Sequence, residues 1–253
     1  MKIDACTAIA SQTSLSHTHN QDTVGILNLN MRSLGPTGAW VLSDGMGGHL
    51  SGEQASRLAV QGFLDHFLSG CFDFTEFSEN WVQYLEHLVS ELDTELYDTG
   101  FSGEAFHRDP HRSLMGATFT GALRLDNSLF LVHVGDTRCY LLRNHILQQL
   151  TVDHITSNGK YLTQALGSGD IMQPFTSMFE IEEQDRLILL SDGVYRALEL
   201  QQIRAILETA DESENIVRCL VRTASEATGF ADDASALLVS FLASRKHRIG
   251  GAV

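Results

Sequence analysis

Two stretches of the chain share one pattern. In Val41-Leu42-Ser43-Asp44-Gly45 and in Leu189-Leu190-Ser191-Asp192-Gly193, an apolar, strand-like run ends in Ser-Asp-Gly. Val134-Gly135-Asp136 is a further apolar run ending in aspartate. Asp22 stands before Val24-Gly25-Ile26-Leu27, and Asp232-Asp233 stands before the run 235–242. Asp-Gly alone marks a turn, and between two strands it is a hairpin signal. Neither Ser-Asp-Gly copy leads back into a strand, however. Met46-Gly47-Gly48 and a capped helix follow the first, and the helix-like Val194-Tyr195-Arg196-Ala197 follows the second. Aspartates at several strand ends of one sandwich can converge on hard divalent cations, which take oxygen ligands. Without metal such a cluster is unfavourable, because like charges a few ångströms apart raise each other's pKa. The pattern points to a metal centre.

Other chemistries find no footing. There is no HExxH, and Pro110 between His107 and His111 breaks the helical face a zinc pair would need. No GxxxxGK[ST], strand–helix GxGxxG or GxSxG occurs. His107-Arg108-Asp109 looks like a kinase loop, but no Gly-rich nucleotide loop precedes it, so it reads as surface. Cys6, Cys71, Cys139 and Cys219 form no CxxC pair, so small core residues or exposed thiols are expected rather than a disulfide scaffold. A net charge of −15 repels phosphate backbones and argues against nucleic acid as partner. No apolar run approaches a membrane span, and Asp4 interrupts anything like a signal segment. A cytoplasmic protein is expected.

The elements that must position these aspartates are legible in the periodicity. Hydrophobic residues make up 43% of the chain, enough for a large core. No linker or repeat divides it, so one domain over 1–243 is expected, followed by a short basic tail at 244–253 that reads as a solvated terminus. Ser51-Gly52-Glu53-Gln54 reads as a capping box opening a helix with Ala55, Leu58, Ala59, Phe63 and Phe67 on one face, terminated by Gly70. Ser78 opens a second helix, with Trp81, Leu85, Leu88, Val89, Leu92 and Leu96 on one face. A third, carrying Ile216, Val217, Leu220, Val221, Ala224 and Ala227, follows a cap region at 211–213. The runs 117–125, 129–134, 137–142 and 146–150 read as strands. Connections of two or three residues cannot hold a parallel crossover, so an antiparallel meander is expected. Runs 129–134 and 187–190 are apolar at nearly every position, which implies burial on both faces. A second sheet on one face and helices on the other follow: an α/β (α+β), four-layer α-β-β-α sandwich.

Taken together, these residues resemble a family. Asn20-Gln21-Asp22, Asp44-Gly45-Met46-Gly47-Gly48, Met115-Gly116-Ala117-Thr118, Val134-Gly135-Asp136-Thr137-Arg138, Leu150-Thr151-Val152-Asp153-His154, Leu162-Thr163-Gln164-Ala165-Leu166-Gly167, Ser191-Asp192-Gly193 and Asp232-Asp233-Ala234-Ser235 occur in the order of the type-2C, metal-dependent Ser/Thr protein phosphatases, bacterial branch. The likeness spans 17–241. Each motif alone is weak, and their order makes the set specific. The resemblance implies two central antiparallel sheets flanked by helices. It also implies hydrolysis of phosphoserine or phosphothreonine in proteins, reversing a Ser/Thr kinase. Asp44 then resembles the carboxylate bridging two metals, with the Gly45 carbonyl on one, and Asp192 and Asp232 resemble the ligands completing the first metal. Asp22 resembles the aspartate that orients metal-bound water. Asp136, together with Asp192, resembles the pair that holds a third metal in bacterial members. Mn2+ or Mg2+ is implied, with a phosphorylated protein as substrate, a cognate kinase pathway and a monomeric chain.

Three departures from the family pattern stand out. The phosphate-binding arginine is replaced by His17, whose neutral imidazole cannot make a bidentate guanidinium contact. The glutamate beside the motif aspartate is Gln21, a further candidate metal ligand through its amide oxygen but one negative charge poorer. Met46 stands where many eukaryotic members have a histidine, as is common in bacterial ones. His17 and Gln21 keep one alternative open, a regulatory pseudophosphatase that binds phosphoproteins with little or no turnover. In addition, His154 and Leu162 are joined by only the seven residues 155–161, where the family has a long mobile flap. Thr156-Ser157-Asn158-Gly159 reads as a tight turn, which would leave the cleft open unless 99–112 covers the same side.

Overall fold

The computed structural model describes residues 3–31, 35–46, 50–68, 74–102, 115–169, 172–209 and 212–243. In chain order the strands are β1 (Ile3–Gln12), β2 (Asp22–Met31), β3 (Gly35–Met46), β4 (Gly116–Ala117), β5 (Phe119–Leu125), β6 (Ser128–Val134), β7 (Arg138–Arg143), β8 (Ile146–Gln149), β9 (Phe175–Glu180), β10 (Arg186–Leu190) and β11 (Ala234–Ala243). The helices are α1 (Leu50–Leu68), α2 (Phe74–Ser102), the single turn α3 (Asp192–Tyr195), α4 (Leu200–Leu207) and α5 (Ser213–Thr228). One sheet runs β1-β11-β10-β7-β8, the other β2-β3-β5-β6-β9 with β4 paired to β3. Among the described residues, every strand pairing is antiparallel.

Strand alternation explains the uninterrupted apolar runs. Along β10, Leu187 and Leu189 enter the core between the two sheets, while Ile188 and Leu190 face α4 and α5. Along β6, Leu129 and Leu131 face the other sheet, and Phe130, Val132 and Val134 face α1 and α2. Trp40 and Phe241 meet edge-on at 5.9 Å in the inter-sheet layer. The α5 stripe of Ile216, Val217, Leu220, Val221 and Ala224 is buried, and Gly229 closes the helix in the left-handed conformation at φ 66°. This is the expected four-layer α-β-β-α sandwich.

Four expectations need correction. The four strands do not form one meander: β5–β6 is a hairpin of one sheet and β7–β8 a hairpin of the other. A short connection forbids a parallel crossover but does not keep both strands in one sheet. Gly135, at φ 101°, turns the chain out of β6 and across the sandwich, where a Cβ would stand 2.7 Å from Thr118. The run 117–125 is broken at Thr118, whose N–H leaves the ladder to donate to the Asp44 carbonyl at 2.8 Å. The second helix begins at Phe74 rather than Ser78, with non-helical backbone at Asn80. The first begins at Leu50, so Ser51 lies in its opening turn. Gly47, Gly48, Gly70, Cys71, His107, His111 and the basic tail lie outside the described residues. Among the described residues, Cys6, Cys139 and Cys219 are free thiols, and no helix is long and apolar enough to cross a membrane.

Candidate active site

The two Ser-Asp-Gly segments end inner strands of the two sheets, β3 and β10, and each of their residues has a packing task. Ser43 Oγ donates to the Thr118 carbonyl at 2.6 Å, and Ser191 Oγ accepts from Ser235 N–H at 2.9 Å, so each serine ties its strand end to a neighbour. Each glycine lets another backbone approach. A Cβ on Gly45 would stand 1.9 Å from the Gly52 carbonyl oxygen, and one on Gly193 would stand 2.0 Å from that of Asp233. The glycines are needed for space, which brings α1 and the β11 entrance down onto the strand ends. Gly52 in turn leaves room beside the Gly45 carbonyl, 2.8 Å from where its own Cβ would be.

The aspartates come from both sheets. Asp22 and Asp44 are register partners across β2 and β3. Asp136 follows β6, Asp192 opens α3 after β10, and Asp232 precedes β11. Burial first, then the charges of Asp22, Asp192, Asp232 and Asp136, raise the Asp44 pKa well above the carboxylate range. Asp192 is pushed up to about 6 by burial and by Asp232, with Arg196 opposing. Asp22, almost fully buried, is pushed up to about 7, chiefly by burial. Neither of its oxygens has a hydrogen-bond partner, although the Ser191 and Ser235 hydroxyls are near enough to favour its charged form. Among the described residues, no three acidic, imidazole or thiol side chains already stand at metal-ligand spacing. The five carboxylates nonetheless share one electrostatic neighbourhood, and a buried carboxylate with two orphaned oxygens fits a cation better than it fits protein alone.

Sequence reasoning missed the residues that hold this cluster. Asp233 gathers the 14–21 loop: Ser14 N–H donates to its Oδ1 at 2.6 Å, Gln21 N–H to its Oδ2 at 2.8 Å, and His17 Nδ1 lies 2.9 Å from Oδ2. The Gln21 carbonyl accepts from Gly45 N–H at 3.0 Å, and its amide group packs against Gly52. Behind Asp136, Thr120 Oγ1 meets His133 Nδ1 at 2.8 Å and Thr137 Oγ1 at 2.7 Å. The His133 ring stacks on His154, which accepts from Gly135 N–H. Burial holds His133 down to about 3, so it is a neutral brace. Arg138 makes a bidentate pair with Asp153 and lies 3.8 Å over the Tyr195 ring, whose hydroxyl donates to Asp136 at 3.0 Å. Arg196 reaches Asp136 at 2.7 Å and Asp192 at 3.1 Å. Only the spacing Asp192-x-x-x-Arg196, four apart on one turn, signals any of this in the sequence.

The chain as a whole has known relatives. The family model described as Protein phosphatase 2C matches residues 13–243. The chain belongs to the protein phosphatase 2C family. It is 29% identical over 242 residues to protein phosphatase PhpP of Streptococcus pneumoniae, covering 88% of this chain and 92% of that one. It is 27% identical over 255 residues to serine/threonine phosphatase stp of Listeria monocytogenes, covering 91% and 93%. Among solved structures, the catalytic domain of the serine threonine protein phosphatase PstP in complex with two manganese ions superposes with a TM-score of 0.75 at 26% identity, covering 95% of this chain and all of that one. The Streptococcus agalactiae serine/threonine phosphatase gives 0.79 at 22% identity, a likeness of fold.

Proposed function

We propose that this 2C-family phosphatase hydrolyses phosphoserine and phosphothreonine in proteins with two divalent cations, Mn2+ or Mg2+. One observation carries the reading: carboxylates from both sheets crowd one end of the sandwich, and buried Asp22 among them has no hydrogen-bond partner on either oxygen. Asp44, the Gly45 carbonyl, Asp192 and Asp232 would hold the cations, with Gln21 as a further ligand. When bound, two such ions would supply acidification of water and neutralisation of charge developing at phosphorus. Asp22, with both oxygens free of protein donors, is proposed to accept hydrogen bonds from the attacking water and so orient it. The His17 Nδ1 is committed to Asp233, which leaves Nε2 as the ring nitrogen for the substrate phosphate. Resemblance assigns Asp136 with Asp192 to a third ion.

A single chain supplies all five carboxylates, so the proposed catalytic unit is a monomer. Its substrates exist only where a Ser/Thr kinase has made them, and the cytoplasm, where kinases meet ATP, is the proposed location. The pseudophosphatase alternative gains nothing from the site, since no carboxylate that the resemblance calls for is missing. The test is manganese-dependent hydrolysis of an aryl phosphate and of a phosphothreonine peptide. Excess chelator and Asp44→Asn should each reduce the rate by at least about a hundredfold, about 2.7 kcal/mol of transition-state stabilisation. Full activity of Asp44→Asn at saturating manganese would overturn the reading.

A further inference from the structure

Two carboxylates of the cluster already have a cation. The Arg196 guanidinium donates through Nη2 to Asp136 Oδ2 at 2.7 Å and lies through Nη1 3.1 Å from Asp192 Oδ2. The same Asp136 oxygen also accepts from the Tyr195 hydroxyl at 3.0 Å. Arg196 is more than half exposed, yet its guanidinium reaches inward to both carboxylates from a fixed backbone position. It caps α3, its N–H donates to the Asp192 carbonyl at 2.9 Å, and it stands four residues after Asp192 on one turn. Its guanidinium shares the Tyr195 ring with Arg138, at 6.0 Å against 3.8 Å. The turn that carries Asp192 into the site therefore holds this charge within reach of it. Guanidinium is permanently ionised, and its fork suits two carboxylates at once. The largest influences on Asp22 and Asp44, by contrast, are burial, neighbouring carboxylates and, for Asp22, two serine hydroxyls.

We propose that Arg196 is a built-in cation occupying the place between Asp136 and Asp192, so that this phosphatase takes two divalent ions and not the third that the resemblance implies there. The inference rests on the metal-site reading above. A third ion would have to displace the guanidinium from both carboxylates or sit beside it, and tethering on α3 keeps the arginine at hand to compete.

Metal-stripped protein titrated with Mn2+, followed by calorimetry and native mass spectrometry, tests this without reference to activity. Wild type should saturate at two ions per chain. Arg196→Gln and Arg196→Ala should take a third, bound at least about a hundredfold more tightly than any third ion on wild type. Arg196→Lys, which keeps the charge, should stay at two, and adding Asp136→Asn to Arg196→Gln should return it to two. Circular dichroism checks that each variant is folded, and Arg196→Gln stands in if Arg196→Ala is not. A wild type that takes three ions, or folded charge-removing variants that stop at two, would overturn the built-in cation alone. A wild type that binds none would overturn the metal-site reading and this inference with it.

Discussion

Asp22 is the residue at which fold and function conflict most. Its carboxylate is buried at the start of β2 with no donor on either oxygen, and burial pushes it from 3.8 up to about 7. A group that holds its proton more tightly in the folded state than in the unfolded one favours folding at low pH, and that advantage disappears as the pH rises through its folded pKa. The metal-free protein should therefore lose stability between about pH 4 and pH 7, by an amount on the order of a few kcal/mol. Asp192, pushed up to about 6, acts in the same direction. In excess chelator, the Tm of wild type should fall between about pH 5 and pH 7.5. Asp22→Asn should flatten that fall and raise the Tm at the upper end, while activity with manganese is lost. An unchanged slope in Asp22→Asn would mean that the burial cost resides elsewhere.

At the level of elements, the site depends on how closely α1 and β11 approach the strand ends. Gly45→Ala and Gly193→Ala would each drive a Cβ to about 2 Å from a backbone carbonyl, and backbone cannot rotate aside as a flexible side chain can. Each should cost about 1–3 kcal/mol in urea unfolding. Each should also lower kcat by more than about tenfold, since the carboxylates on either side move with the backbone. The opposite end of β10 is a control. Arg143 at the end of β7 makes a bidentate pair with Asp185, which is only 1% exposed and sits in the turn before β10. Arg143→Leu strips that buried carboxylate of its partner and should destabilise by about 2–4 kcal/mol. The manganese-dependent rate per folded molecule should stay at the wild-type value. A loss of rate matching that of the glycine variants would show that the two ends of the sandwich are coupled.

For the molecule as a whole, substrate preference depends on what surrounds the cleft. The connection 155–161 is a tight turn: Thr156 N–H donates to the Tyr161 carbonyl and Gly159 N–H to the Thr156 carbonyl, each at 2.8 Å, with Gly159 at φ 69°. Such a turn has no helix to lay over the metal end, and the rival cover, 99–112, lies mostly outside the described residues. Loops on a rigid scaffold usually carry specificity. The phosphatase is therefore expected to show little intrinsic peptide preference, with substrate choice left to docking elsewhere or to a partner. Across a panel of phosphopeptides of varied sequence, kcat/KM should spread by less than about a hundredfold, roughly 2.7 kcal/mol. A wider spread would place a specificity loop beside the cleft after all.

Local pattern determined a good deal of this protein. The doubly buried strands, the helical stripes and the aspartates at strand ends are periodicities of two and 3.6, written in neighbouring residues and legible without a structure. Ser-Asp-Gly was visible twice, as was the short turn at 155–161. Contacts between distant segments were not legible. That β6 and β7 belong to different sheets turns on one glycine with positive φ and on space beside Thr118. That Asp233 gathers the 14–21 loop depends on a separation of more than two hundred residues. Arg196 had a local partner in Asp192 from its spacing, but its second partner, Asp136, lies sixty residues away and meets it only when the two sheets pack. Side-chain periodicity reports which face is buried. Which charge meets which carboxylate is decided by tertiary packing, because the energy of a charge pair depends on distance and burial rather than on position along the chain.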